Sequence, residues 1–282
     1  MFRVEMKKVT HSWLFWITLL IGVGIALVSS FESISSYMFW QEAERDFVQS
    51  AAIVRNPEAP ISTLFNSWMG QEFSSLTSSL YYLLLPLLAV FPYAWSTLIE
   101  RKNGYIKNIL TRSLRQHYYL AKCSATFLSG AAVVVIPLIL NVMLVSAFIP
   151  AIRPDVYYDI YYGILPGNAL SQLFYAQPIW YIVVRILTAG WFAGLIAMSV
   201  IGLSFFIKKY IAILLLPFLA LLGIHYAAGL LSEETLIDYS LISSVHGGGL
   251  NTNWWVLGVY SIFLLIIGLV IPMYRGARDD VF

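Results

Sequence analysis

The sequence predicts an all-α integral membrane fold. It has six transmembrane helices, an amphipathic N-terminal interfacial helix, and a short cytoplasmic helix between the second and third spans. Three observations predict it. Of 282 residues, 59% are hydrophobic and 11% charged, and the mean hydropathy is +0.76. A soluble domain carries about a quarter charged residues, so lipid must be the solvent for much of this chain. The apolar residues also gather into runs of about 20, the length that crosses a hydrocarbon core. Finally, the few cations fall almost entirely on one side of those runs.

The N-terminal segment 1–11 is basic, with Arg3, Lys7 and Lys8, and leads straight into an apolar run. No small-x-small cleavage site follows, so the run reads as a retained first span. The six spans are 13–31, 76–97, 124–149, 179–207, 211–231 and 254–273. Only Lys208, Lys209 and Tyr210 separate the fourth from the fifth, which makes a tight hairpin. The outside segments are 32–75, 150–178 and 232–253, all too small for an independent domain of more than about 50 residues. The chain therefore reads as one membrane domain.

Loop cations orient it. One side collects Arg3, Lys7, Lys8, Arg101, Lys102, Lys107, Arg112, Arg115, Lys122, Lys208, Lys209, Arg275 and Arg278; the other has Arg45, Arg55 and Arg153. Both termini are thus expected in the cytoplasm. Of the 15 acids, 11 lie outside, from Glu32 to Asp238. Trp13, Trp16, Tyr157, Tyr158, Tyr161, Tyr162, Trp180, Tyr181, Trp254 and Trp255 fall where spans meet headgroups, as an interfacial belt does.

Most catalytic chemistry is missing. There is no GxxxxGK[ST], no HExxH, no GxSxG and no Cys or His pair at metal spacing. The single cysteine, Cys123, excludes an intramolecular disulfide. No acid lies within the six spans, whereas ion-coupled transporters keep carboxylates there to carry the coupling charge. Any uphill movement must then draw its energy from a partner. The intramembrane features left as a candidate substrate path are Pro86, Asn141, Arg185, Pro217 and His225. Arg185 has two open readings: a side chain that snorkels or pairs structurally, or one that lines the path. His225 is read as packing ahead of ligation. Glu233, Glu234, Asp238 and His246 are the only residues that a lipid-modifying enzyme would have to use, and their spacing fits no motif.

The stretch "LIERKNGYIKNILTRSLRQHYYLAKC" carries six of the cations between two apolar runs. Ile106, Ile109, Leu110 and Leu114 fall on one face of a helix, away from Lys107, Arg112 and Arg115. Gly104 precedes it and allows a sharp change of direction. Such a helix either docks its apolar stripe into a partner's groove or is a basic loop that fixes topology and touches lipid phosphates.

This stretch resembles the cytoplasmic loop of type-2 ABC transporter permeases. Glu100, Arg101, Gly104, Ile109, Leu110, Arg112, Arg115 and Lys122 match that family's loose pattern in order. The six-span topology and the amphipathic N-terminal approach match as well. The resemblance implies two such subunits, identical or homologous, above two P-loop ATPase subunits. ATP and Mg would be held by those partners; this chain would have no cofactor, no metal, no ATPase site and no nucleic-acid partner. Residues 105–111, with Tyr105 and Ile106 among them, would couple the ATPase to the membrane. Segment 1–11 would be an interfacial elbow. The cargo expected is a hydrophobic or amphipathic peptide or drug, an antimicrobial peptide for instance, exported across the plasma membrane for secretion, resistance or self-immunity. The rival expectation is a non-transporting scaffold, anchor or sensor.

Overall fold

A computed structural model describes residues 1–51, 62–111, 114–156, 164, 167–235, 238–247 and 252–278. Among these every regular element is helical. The helices are α1 (Phe2–Thr10), α2 (Trp13–Ala51), α3 (Leu64–Ser67), α4 (Leu76–Val90), α5 (Ser96–Lys102), α6 (Tyr105–Leu110), α7 (Arg115–Phe148), α8 (Ser171–Ala176), α9 (Pro178–Leu203), α10 (Tyr210–Thr235), α11 (Leu241–His246) and α12 (Trp254–Leu265). A π-helical turn, Ile266–Val270, joins α12 to α13 (Ile271–Arg278). Five helical stretches are long and apolar enough to cross a membrane: α2, α7, α9, α10 and the α12–α13 rod.

The span read at 76–97 is not one rod. It breaks over residues 91–95, between α4 and α5. Pro92 lies in the break and brings no N–H for the carbonyl one turn back. The first span was expected to end at residue 31, but α2 runs 39 residues to Ala51. No Gly or Pro stands between Glu32 and Ala51 to stop it. Its extension is tied down where Ser75 and Thr77 donate to the Glu32 carboxylate at 2.8 and 2.7 Å. The third span was expected from residue 124; α7 begins at Arg115, so the end of the basic stretch is helix rather than loop. The expected outside loop 232–253 contains an unforeseen helix, the buried α11.

Helix α9 is the hub. It packs on α4, α7, α10, α11, α12 and the π turn. Small residues bring backbones close, as in membrane helix pairs generally: a Cβ on Gly202 would stand 1.8 Å from the Ile267 carbonyl oxygen of the π turn. Across α7, Arg185's counterpart in depth is Asn141. It is fully buried, accepts from the Met69 N–H at 2.8 Å, and donates to Ser30 Oγ and the Ala26 carbonyl at 2.9 and 3.3 Å. Asn141 thereby clamps α2, α7 and the turn after α3.

Candidate functional site

Two groups of charged residues sit at opposite ends of the bundle. On α7, Lys122 and Asn141 are 19 residues apart, about 28 Å of helix. On α9, Arg185 and Ser204 have the same spacing and so the same separation of about 28 Å. That matches a hydrocarbon core of about 30 Å.

The first group lies where α1, α5 and α7 meet. Helix α1 carries Glu5, Lys8 and Val9 at i, i+3 and i+4, and this face turns inward. Glu5 is 1% exposed and Lys122 is 0% exposed. Lys8 Nζ reaches Glu5 Oε1 at 2.7 Å and Glu100 Oε1 at 2.8 Å. Lys122 Nζ reaches Glu5 Oε2 and Glu100 Oε2, both at 2.9 Å. Two lysines and two glutamates thus alternate in a closed ring with no net charge. Tyr93 donates to Glu5 Oε2 at 2.6 Å and accepts from Lys122 at 3.0 Å. Tyr118 donates to Glu100 Oε2 at 2.5 Å. Tyr105 of α6 covers the outer lysine, its ring centre 4.6 Å from Lys8 Nζ.

The electrostatics follow. Burial by itself would push the Glu5 carboxyl up, but the Lys122 charge and hydrogen bonds from Lys8, Tyr93 and Lys122 prevail and hold it below its ordinary value. Burial would pull Lys8 down, yet the hydrogen bonds to Glu100 and Glu5 hold it well above. Glu5 and Lys8 therefore stay charged across the physiological range.

Among the residues expected to couple to a partner, Glu100 is in the ring and Arg101 lies 4.0 Å over the Phe205 ring just past the end of α9. Gly104 takes the left-handed φ of 68° that turns the chain into α6. Ile106 is buried against Tyr118 and Tyr119, with Ile109 and Phe205 packed beside it. Of the apolar stripe, Ile106 and part of Ile109 are thus spent inside the molecule under the two tyrosines at the start of α7, whereas Leu114 stays exposed. What α5 and α6 expose is polar: Lys102, Asn103, Tyr105, Asn108 and Thr111. Arg112 and the side chains of Lys107 and Leu110 lie outside the described residues. Of the interfacial elbow, Arg3 and Lys7 are exposed, while Lys8 turns into the ring.

The second group surrounds α11. Arg185 is 3% exposed, which excludes snorkelling to the surface. Its Nη1 donates to the Ser244 carbonyl at 2.9 Å, and its guanidinium lies 5.8 Å from the Tyr181 ring centre. Among the described residues its Nε and Nη2 have no hydrogen-bond partner. Gly247 follows α11 with φ 86°, and a Cβ there would lie 1.9 Å from Arg185 Nη2, so only glycine leaves room for the guanidinium. His246 stacks on Tyr82 with ring centres 4.4 Å apart. Burial, then the Arg185 charge, pulls its pKa down to about 4. His225 Nδ1 meets Ser240 Oγ at 2.8 Å and Ser243 Oγ at 3.2 Å, at the start of α11. Pro86 lines a cleft against Leu241, Ile242 and Val245, the apolar side of α11. Three of the five candidate path residues, Pro86, Arg185 and His225, thus converge on α11. Asn141 is used as a clamp, and Pro217 is buried one turn before Leu221 of the same cleft.

The rival enzyme set is not assembled among the described residues. Asp238 takes the Ser240 N–H at 2.8 Å, while His246 packs on Tyr82, and the side chains of Glu233 and Glu234 lie outside the described residues. No group of three His, Cys, Asp or Glu there could hold a metal. The expected belt tyrosines 157, 158, 161 and 162 also lie outside the described residues.

Sequence reading missed Glu5, Tyr93 and Tyr118 and took Lys122 for a loop cation. The spacing of Glu5, Lys8 and Val9 was the one available signal. Compared with models of protein families, with curated proteins and with solved structures, the chain finds no match.

Proposed function

We propose that this chain is the membrane-spanning permease subunit of an ATP-driven exporter of the type-2 ABC class, which moves a hydrophobic or amphipathic peptide or drug out of the cell. In this reading α4 and α5 together make a sixth, broken span. The chain sits in the plasma membrane with both termini in the cytoplasm. It pairs with a second permease, identical or homologous, and with two P-loop ATPase subunits that hold ATP and Mg.

The observation that carries this reading is the closed ring of Glu5, Lys8, Glu100 and Lys122. It fastens α1, α5 and α7 to one another directly beside α6. A partner pressing on the polar face of α5–α6 displaces Glu100, and the ring passes that displacement to the elbow helix and to the start of a long span. The inner pair, Lys122 with Glu5, is buried and resists rearrangement, because separating it leaves an uncompensated charge. A loop that served only to set topology would need no such fastening.

The test is purification of the tagged chain in mild detergent, with identification of co-purifying chains and an assay of ATP hydrolysis. A stoichiometric P-loop ATPase whose activity depends on this chain is the expected result. A chain that purifies alone, with no ATP hydrolysis in any fraction, overturns the reading in favour of a scaffold.

A further inference from the structure

We propose that the Nε–Nη2 edge of Arg185 is a binding site for an oxyanion, carried by the transported substrate. The assignment to the substrate rests on the transporter reading; the site itself rests on the following geometry.

A guanidinium stays charged at any physiological pH. Here it is 3% exposed, and among the described residues only Nη1 has a hydrogen-bond partner, the Ser244 carbonyl. Among the described residues no carboxylate pairs with it. The two free nitrogens are neighbours: Nε–H and one Nη2–H point the same way, in the spacing that meets two oxygens of a carboxylate or phosphate side by side. Among the described residues no acid faces it, and further polar atoms lie beside it. His246 Nε2 and Ser244 Oγ, both on α11, are likewise buried without partners. Burial, and after it the nearby Arg185 charge, keeps the His246 imidazole neutral. A buried, uncompensated cation is costly, and the cost is relieved when an anion joins it.

Arg185 is buried in this structure, so a ligand reaches its free edge only if α11 shifts. The neighbouring cleft on the apolar side of α11, which Arg185 does not line, is itself nearly filled, with about 10 Å³ of free space. Two contacts set that motion: Arg185 to the Ser244 carbonyl, and His225 to Ser240 and Ser243. An oxyanion arriving at Arg185 competes for the same guanidinium that holds α11 closed. The free C-terminal carboxylate of an apolar peptide has the required chemistry, two oxygens at the end of an apolar body.

The experiment uses the full chain, with any partners that purify with it, in nanodiscs of zwitterionic lipid at fixed ionic strength and neutral pH. The probes are N-acetylated trileucine with a free carboxylate and the same peptide as its C-terminal amide. Binding is followed by tryptophan fluorescence and by melting temperature. The acid is expected to bind at least tenfold more tightly than the amide. Arg185→Met should abolish the difference, and Arg185→Lys should keep part of it. Equal binding of acid and amide by the unsubstituted chain overturns the site. If the acid's advantage vanishes when phosphatidylglycerol replaces the zwitterionic lipid, the oxyanion site stands but its assignment to the substrate falls, because a headgroup phosphate then occupies it. No ATPase enters these readouts, so their outcome is separate from the co-purification that tests the transporter reading.

Discussion

The two ends of the bundle treat buried charge in opposite ways. At the α5–α6 end, two cations and two anions close a neutral ring in which Lys122 spends its donors on Glu5, Glu100 and Tyr93. At the α11 end, one cation stands with half its hydrogen-bonding edge unmet and a neutralised histidine beside it. The first arrangement has little to gain by moving. The second leaves a favourable interaction unmade, which is what a binding site retains until its ligand arrives. The difference teaches where to look for force transmission and where to look for recognition.

The largest expected effect comes from breaking the ring. Lys122→Met leaves Glu5 and Glu100 sharing only the half-buried Lys8, and the loss of a fully buried partner costs about 3–5 kcal/mol. A fall in detergent melting temperature checks it, and the double variant with Glu5→Gln should recover part of the loss. An unchanged melting temperature would mean that the ring holds nothing together.

Acid should act next, through the α11 end. The ordinary pKa of His246 is 6.5 and its folded value is about 4, so between these the unfolded chain takes up a proton that the folded chain refuses. Stability therefore falls as pH drops from 6.5 towards 4, by roughly 3 kcal/mol at most. Glu5 has a folded pKa below its ordinary 4.5, so its contribution is intact above 4.5 and is lost only at lower pH. Asp238, raised by burial, works the other way. Melting temperatures of the parent and of His246→Phe, compared from pH 7 to pH 5, isolate the imidazole; the variant should show the flatter profile.

Arg185→Met sharpens the comparison by its sign. Removing a cation that lacks a counter-charge gives up one charge-assisted hydrogen bond, worth about 1.5–3 kcal/mol, and removes a desolvation cost of several kcal/mol. The variant is expected to melt at or above the parent temperature, whereas Lys122→Met melts below it. Smallest of all is the surface change Asn108→Asp on α6. It should shift stability by no more than about 0.5 kcal/mol, yet weaken coupling to an ATPase, read as loss of chain-dependent ATP hydrolysis. Unaltered hydrolysis would exclude this face as the contact.

Much of the fold was legible because hydrophobic length and cation placement are local properties. The five long apolar helices lie where runs of apolar residues predicted them, and the turn at Gly104 lies where glycine allowed it. The break at Pro92 was legible in principle, since proline's missing N–H is also local, but Pro86 in the same run leaves its helix unbroken. Only packing separates the two cases. The site was far less legible. Glu5 and Lys122 are 117 residues apart in sequence and 2.9 Å apart in space. Read along the chain, one is a lone acid in a basic leader and the other a cation in a basic loop.

The sequence by itself determined that this protein is helical, that lipid surrounds most of it, and that it lacks the motifs of the common catalytic sites. Those conclusions need only composition, period and spacing. The tertiary structure alone decided which charges are buried, which of them are paired, and that α11 gathers Arg185, His225 and Pro86. Burial and pairing are properties of neighbours distant in sequence. A charge paired in a dry site and the same charge left alone there differ by several kcal/mol, and nothing in either residue's own surroundings along the chain records which it will be.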